Sequence, residues 1–111
     1  MSVQTSLSNF ELMVILAVIR LGDEGYGVPI SEEIEKTTGN EVVLGSVYAA
    51  LSRLEEKGLI ESELGEATAE RGGRAKRYFK ATGQGIREVR AARRALMKLW
   101  KGLPQIEGGS A

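Results

Sequence analysis

The stretch RGGRAKRYFKATGQG, Arg71–Gly85, has two readings. Its Arg-Gly-Gly-Arg is of the kind found in disordered RNA-binding tails. Yet RAKRYFKA is long enough for a basic β-strand, and Thr82 stands where it can cap a helix behind that strand. A single-stranded RNA-binding tail predicts many repeats of the motif and few apolar residues. This chain has neither: 42% of its 111 residues are apolar and only two are proline, which is the composition of one small folded domain. The basic strand is the reading that agrees with the rest of the chain.

Upstream of it, LIESELG is also of strand length, and the linker GEATAERGG between the two holds three glycines, so the pair is expected to form a two-stranded hairpin with a long tip. Tyr78 and Phe79 give the second strand its β-propensity. Before the hairpin, EVVLGSVYAALSRLEEKG predicts a short extended piece at Glu41–Val43 and a helix from about Gly45 to Lys57, stopped by Gly58. Val47, Ala50, Leu51 and Leu54 recur at helical spacing as a buried face. Gly45, Tyr48, Ala49 and Ser52 lie opposite, with Arg53 at the edge. Small residues there permit close approach to another surface, and Tyr48 and Arg53 can hydrogen-bond to it; an ordinary solvent face has the same composition.

At the N-terminus, Ser8-Asn9-Phe10-Glu11 fits a capping box opening a helix from about Asn9 to Leu21. FELMVILAVIRL is apolar around its whole circumference, so burial on every side is expected, which in so small a chain calls for a second subunit. GDEGYG follows as a turn; without a preceding strand or a Gly-Lys-Ser/Thr ending, Gly22, Gly25 and Gly27 do not make a phosphate loop. A short helix over VPISEEIEKTTG has Pro29 in its first turn, Glu32 and Glu33 near its positive end and Gly39 as its stop. The last helix runs from about Gly83 to Gly102, with Ile86, Val89, Ala92, Leu96, Leu99, Trp100 and Leu103 in one apolar stripe and Arg87, Arg90, Arg94, Lys98 and Lys101 on the remainder. The tail from Pro104 is expected to be disordered.

The zero formal net charge hides a dipole along the chain. Residues 1–70 carry a net −9 and residues 71–101 a net +10. Such a basic half either pairs with the acidic half of its own fold or holds phosphates. Cysteine and histidine are both absent, which removes zinc fingers, iron–sulfur sites, disulfides, thiol nucleophiles and the commonest general base. No metal, no cofactor and no catalysis are expected. The longest apolar run, Leu12–Ile19, is too short for a membrane span, and the N-terminus lacks the charged start of a signal peptide. A soluble, cytoplasmic protein without membrane contact is the expectation.

The order helix, helix, short strand, helix, basic hairpin, helix predicts a mainly α fold with a minor β part (α+β). It is a winged helix-turn-helix with a two-stranded wing and a long C-terminal dimerisation helix. Residues 1–82 would form the DNA-binding domain, 83–103 the dimerisation helix and 104–111 the tail. In such a fold the third helix enters the major groove of double-stranded DNA and the wing follows the neighbouring backbone. Guanidinium groups at the wing suit phosphate oxygens, and Gly72 and Gly73 let the backbone lie close to the duplex.

FELMVILAVIRLGDEGYGVPI, LGSVYAALSRLEEKGLIES, ERGGRAKRYFKATGQG and LMKLWKGL together resemble the PadR-like transcriptional regulators over almost the whole chain. The most diagnostic residues are Tyr26-Gly27, the Gly45-Ser46-Val47-Tyr48 start with Leu51, Arg53, Leu54 and Glu55, and the Arg71-Gly72-Gly73-Arg74 wing. The resemblance implies a homodimeric repressor of a palindromic operator. Ser46, Tyr48, Ala49, Ser52 and Arg53 would contact DNA from the third helix, and Arg71, Gly72, Gly73, Arg74, Lys76 and Arg77 from the wing. It also implies a C-terminal helix that crosses to the other subunit and packs on its first helix, an interface of Phe10, Leu12, Val14, Ile15, Val89, Leu96, Leu99, Trp100 and Leu103. Some relatives hold aromatic or drug-like effectors between the subunits, on which Trp100 could stack; a large core anchor is the other reading of Trp100. Leu44 departs from the pattern, standing where members often have a capping Ser or Thr, and the chain has the short form with one C-terminal helix. The competing function for this architecture is a winged-helix module that binds protein instead of specific DNA.

Overall fold

A computed structural model of the chain describes residues 7–65 and 75–106. Helix α1 spans Asn9–Leu21 and opens on the capping box. The Ser8 Oγ accepts from the Glu11 N–H at 3.1 Å, and the Ser8 N–H donates to Glu11 Oε1 at 3.0 Å. A 3₁₀ turn, Gly22–Glu24, leads to α2, Gly27–Thr38. That helix starts one residue before the expected valine and places Pro29 within its first turn, where no intrahelical N–H is lost. It ends at Gly39, whose φ of 78° is a left-handed conformation that costs glycine nothing.

Glu41–Val43 corrects the sequence expectation. No strand forms there, because the Val42 N–H donates to the Glu35 carboxylate of α2 at 2.9 Å instead of to a neighbouring strand. Helix α3, Leu44–Glu56, begins at Leu44, which is its first helical residue; Val43 occupies the cap position and offers no side-chain bond. Strands β1, Ile60–Leu64, and β2, Arg77–Ala81, pair antiparallel, with Ile60 opposite Ala81, Glu61 opposite Lys80 and Ser62 opposite Phe79. Helix α4, Gly83–Trp100, ends two residues earlier than expected. Pro104–Ile106, read from sequence as the start of a disordered tail, instead closes a turn in which the Ile106 carbonyl accepts from Trp100 Nε1 at 3.4 Å. Four helices and a two-stranded wing make the winged helix-turn-helix that the sequence order predicts.

The core lies where α1, α2 and α3 meet beneath the wing. Val14, Ile15, Ile30, Val47, Leu51, Leu54, Leu59 and Ile60 are its largest fully buried side chains, and Phe79 joins them from β2. Each such aliphatic contributes about 1.5–3 kcal/mol by leaving water. Two carboxylates are buried in the described residues, Glu11 and Glu33, and Glu11 is the deeper. Glu11 is only 3% exposed, and its two oxygens accept from Arg53 Nε at 2.7 Å and Lys57 Nζ at 2.8 Å. Burial raises the Glu11 pKa, but the bonds from Lys57, Arg53 and the Ser8 N–H outweigh it and bring the group from 4.5 down to about 2.

Leu59 connects the remaining elements. Its N–H bonds back to the Leu54 carbonyl, and its own carbonyl accepts from the Thr82 N–H at 3.0 Å, while Thr82 Oγ1 donates to the Gly58 carbonyl and accepts from the Gly85 N–H. Gly85 lies so close that a Cβ added there would overlap the Leu59 carbonyl oxygen. Thr82-Gly-Gln-Gly is therefore both helix cap and docking point for α4.

Gly85→Ala should lose about 1–3 kcal/mol in urea unfolding. Gly83→Ala, whose added Cβ meets only ordinary van der Waals approach at 3.7 Å, should stay within about 0.5 kcal/mol of the parent; equal losses in the two would contradict the close approach. For Glu11 the folded pKa lies below the unfolded one, so its contribution is complete above pH 4.5 and fades as pH falls toward 2. Glu11→Gln should be less stable at pH 7 by about 1–3 kcal/mol. The difference from the parent should shrink across that acid window when unfolding is followed as a function of pH.

Candidate nucleic-acid interface

The helical spacing of Val47, Ala50, Leu51 and Leu54 turns one side of α3 into the core. The opposite side then has to face outward: Ser46, Tyr48, Ala49 and Ser52 are all exposed and form one low ridge. Tyr48 is 46% exposed. Its phenol lies over Gly27 at the start of α2, where any Cβ would run into the Tyr48 hydroxyl. Gly27 thus leaves room for the hydroxyl end of the ring to pack against α2 while the rest of the side chain stays half exposed.

Arg53 differs from the role read for it in the sequence. It is half exposed at the ridge edge, but its Nε is engaged by the buried Glu11 at 2.7 Å. Arg53 is thus an anchor of α3 on α1 as well as an edge residue. The sequence reading does not single out Glu11 and Lys57 as residues that define the site. The capping box is visible in Ser8 and Glu11, but the partners of that carboxylate lie 42 and 46 residues away, beyond any local pattern.

The wing is braced against the turn before α2. Tyr26 and Tyr78 meet edge to face with centroids 5.2 Å apart, and Lys76 Nζ lies 4.9 Å from the Tyr26 ring centroid, a cation–π contact. Arg77 Nη1 donates to Ser62 Oγ at 3.0 Å, and Ser62 Oγ donates to Glu55 Oε2 at 2.7 Å, which links β2 through β1 to α3. At the base the Phe79 N–H donates to the Gly25 carbonyl at 2.8 Å. So Lys76 and Arg77 both have protein partners that shape the wing. Arg71, Gly72, Gly73 and Arg74 lie outside the described residues.

A second surface lies on the far side of α1. Val14 and Ile15, expected at a dimer interface, are 0% exposed inside the chain's own core and have no area left to offer a partner. Leu16 and Ile19, which the same apolar run does not distinguish, are 41% and 40% exposed. With Met13 and with Ile34, Thr37 and Thr38 of α2 they line an open, mainly apolar groove of about 270 Å³. At its rim Glu33, nearly buried, accepts from Arg20 Nε at 2.7 Å and pairs with Lys36 at 3.2 Å. The Arg20 bond, then that of Lys36, holds the Glu33 carboxyl below its usual range. Phe10, Leu12 and Val89 are half-buried against the core edge, whereas Leu96, Leu99, Trp100 and Leu103 are exposed. Beyond Ala92 every residue of α4 is exposed. Among the described residues no helix is long and apolar enough to cross a membrane, and no group of Asp and Glu side chains is placed to hold a metal ion.

Comparison with known proteins agrees with this geometry. Residues 15–91 match the Transcriptional regulator PadR-like family. A PadR-like transcription factor from Bacteroides fragilis is 25% identical, with a TM-score of 0.73 over 87% of this chain and 88% of its own. A transcriptional regulator from Clostridium thermocellum, 24% identical, shares the fold with a TM-score of 0.70 over 87% and 91% of the two chains. So does a PadR family transcription regulator from Clostridium difficile, 22% identical, with a TM-score of 0.70 over 88% and 98%. No match was found among curated proteins. The family match runs from the middle of α1 through the exposed ridge and the wing into α4, and the chain belongs to the PadR-like family of DNA-binding transcriptional regulators, a family of transcription factors and not of enzymes.

Proposed function

We propose that the protein is a homodimeric repressor that reads a palindromic operator in the cytoplasm, with residues 1–82 binding DNA and 83–103 joining the subunits. The observation that carries this reading is the two-sidedness of α3: four core residues on one face and the exposed ridge Ser46, Tyr48, Ala49 and Ser52 on the other. Small side chains at Ser46, Ala49 and Ser52 let the helix sit deep in the major groove, where the serine hydroxyls meet base edges and backbone oxygens and the exposed part of the Tyr48 ring packs beside them. The start of α3 carries no side-chain cap, and since the Ser46 N–H already bonds the Val43 carbonyl at 2.9 Å, the Leu44 and Gly45 N–H groups are those left to hold a phosphate. Arg71 and Arg74, with Gly72 and Gly73 between them, take the adjoining backbone, and Lys76 and Arg77 keep the wing in place beside it. Two such units on a twofold axis would read half-sites about 34 Å apart, one turn of the duplex.

The uncovered apolar surface supports the dimer. The α1–α2 groove and the exposed Leu96, Leu99, Trp100 and Leu103 of α4 are complementary, and neither is covered by the described residues of one chain. Packing α4 of one subunit into the groove of the other buries both and explains why α1 is apolar all round. Trp100 at that junction offers a flat face for an aromatic effector that would loosen the pair and release the operator.

A shift assay on the promoter of its own gene tests the function. Affinity should fall with salt by about 0.9 log unit per log unit for each phosphate engaged. Replacing Tyr48 and Ser52 by Ala should weaken operator binding at least about tenfold, the scale of one good hydrogen-bonded base pairing, while Arg71→Ala with Arg74→Ala should weaken all duplexes. Equal affinity of the parent for operator and unrelated duplex would sink the specific-regulator reading in favour of a protein-binding module. Sedimentation at micromolar concentration should give a dimer, and Leu16→Glu with Ile19→Glu should give a monomer that keeps its helical circular dichroism.

A further inference from the structure

We propose that α4 carries a second duplex-DNA surface, sequence-independent and separate from α3 and the wing. Arg87, Arg90, Arg94, Lys98 and Lys101 follow at spacings of three, four, four and three residues, which puts all five on one line along the helix. At 1.5 Å per residue the line is about 21 Å long. Every one of these side chains is exposed, and Val89, Leu96, Trp100 and Leu103 occupy the opposite side. Arg93 widens the line, and between Arg93, Arg94, Lys98 and Lys101 the surface has a shallow depression of about 360 Å³.

Among the described residues these charges have no ionic counterpart. The ion pairs there join Glu33 to Arg20 and Lys36, Glu11 to Arg53 and Lys57, and Asp23 to Lys80, and none reaches α4. The pairing of basic helix with acidic half, one of the two readings of the charge dipole, is therefore not made by the described part of the protomer. Like charges three and four residues apart repel one another and weaken the helix that carries them. A linear polyanion relieves that repulsion along the whole line at once. Duplex DNA, with one charge per about 1.7 Å of axis, presents about twelve phosphates over the same length. Arginines, three of the five, favour phosphate through bidentate bonds.

Lipid is the weaker candidate, since a helix lying in a bilayer surface needs its apolar face for acyl chains. This step rests on the dimer reading, in which that face is covered by the partner subunit. The surface is also distinct in place. The start of α4 is docked on Gly58 and Leu59, past the end of α3, which runs about 12 Å of helix beyond Tyr48. It is thus positioned to take flanking or second-duplex backbone while α3 reads the operator.

The test measures binding to a random-sequence duplex several turns long, over a range of salt, for the parent and for Arg87→Gln/Arg90→Gln/Arg94→Gln/Lys98→Gln. The salt slope should fall by about 0.9 for each phosphate no longer neutralised, or about 3.6 if all four cations are engaged, while the preference ratio for operator over random duplex persists. Should the quadruple variant lose its helix, the pairs Arg87→Gln/Arg90→Gln and Arg94→Gln/Lys98→Gln carry the measurement, each expected to lower the slope by about 1.8. An unchanged slope overturns the proposal. So does loss of binding to anionic phosphatidylserine vesicles or to polyglutamate with DNA binding intact. A parent that shows no operator preference yet has a stripe-dependent slope would defeat the repressor reading and leave this one standing.

Discussion

Glu11 is the only carboxylate in the described core that ties one helix to another through two cations at once. Burying a carboxylate without partners costs several kcal/mol, so its environment has to supply them. Ser8 holds it from α1's own cap, while Arg53 holds it from α3 and Lys57 from the C-cap of that helix. Because Arg53 and Lys57 are four residues apart they lie on one face of α3, and their shared attachment fixes the rotation of that helix about its axis. Rotation is what decides whether Ser46, Tyr48, Ala49 and Ser52 point outward as a ridge or sideways into neighbouring helices. An ion-paired carboxylate buried beneath the edge of the ridge therefore sets its aim.

The elements after α3 inherit that placement through Leu59. Its N–H closes the end of α3, its side chain is core, and its carbonyl receives the start of α4. The wing leaves from the next residue and is steadied by Tyr26, Tyr78, Phe79 and the Arg77–Ser62–Glu55 chain. Small residues at the crossing points, Gly27 under Tyr48 and Gly85 against Leu59, let backbone and ring come close enough for these elements to meet. The result is a braced helix-turn-helix and wing from which α4 projects with most of its length uncovered, a shape that suits assembly with a second copy.

Much of this was legible in local pattern. The capping box, Gly39 as a stop, the Thr82 cap and the buried face of α3 each depend on residues close together in the chain, and all are found where the spacing puts them. Errors came where tertiary placement intervened. Glu41–Val43 has strand-forming residues, but the Glu35 carboxylate takes the N–H that a strand would need. Val14 and Ile15 look like any other part of an all-round apolar helix until the third dimension shows which side α2 and α3 cover.

By itself, then, the sequence determined the four helices, the hairpin, the caps and the charge dipole, because these follow from short-range backbone bonding and from residue periodicity, while its motifs carried the family resemblance. Tertiary structure alone decided that Arg53 is held by Glu11, that Lys76 and Arg77 brace the wing, that Leu16 and Ile19 rather than Val14 and Ile15 face outward, and that the α4 cations have no ionic partner among the described residues. Such meetings join side chains 15 residues apart, as for Arg77 and Ser62, or 42 apart, as for Arg53 and Glu11. Local spacing carries no information about them, because they are set by how helices stack and not by what any one helix is.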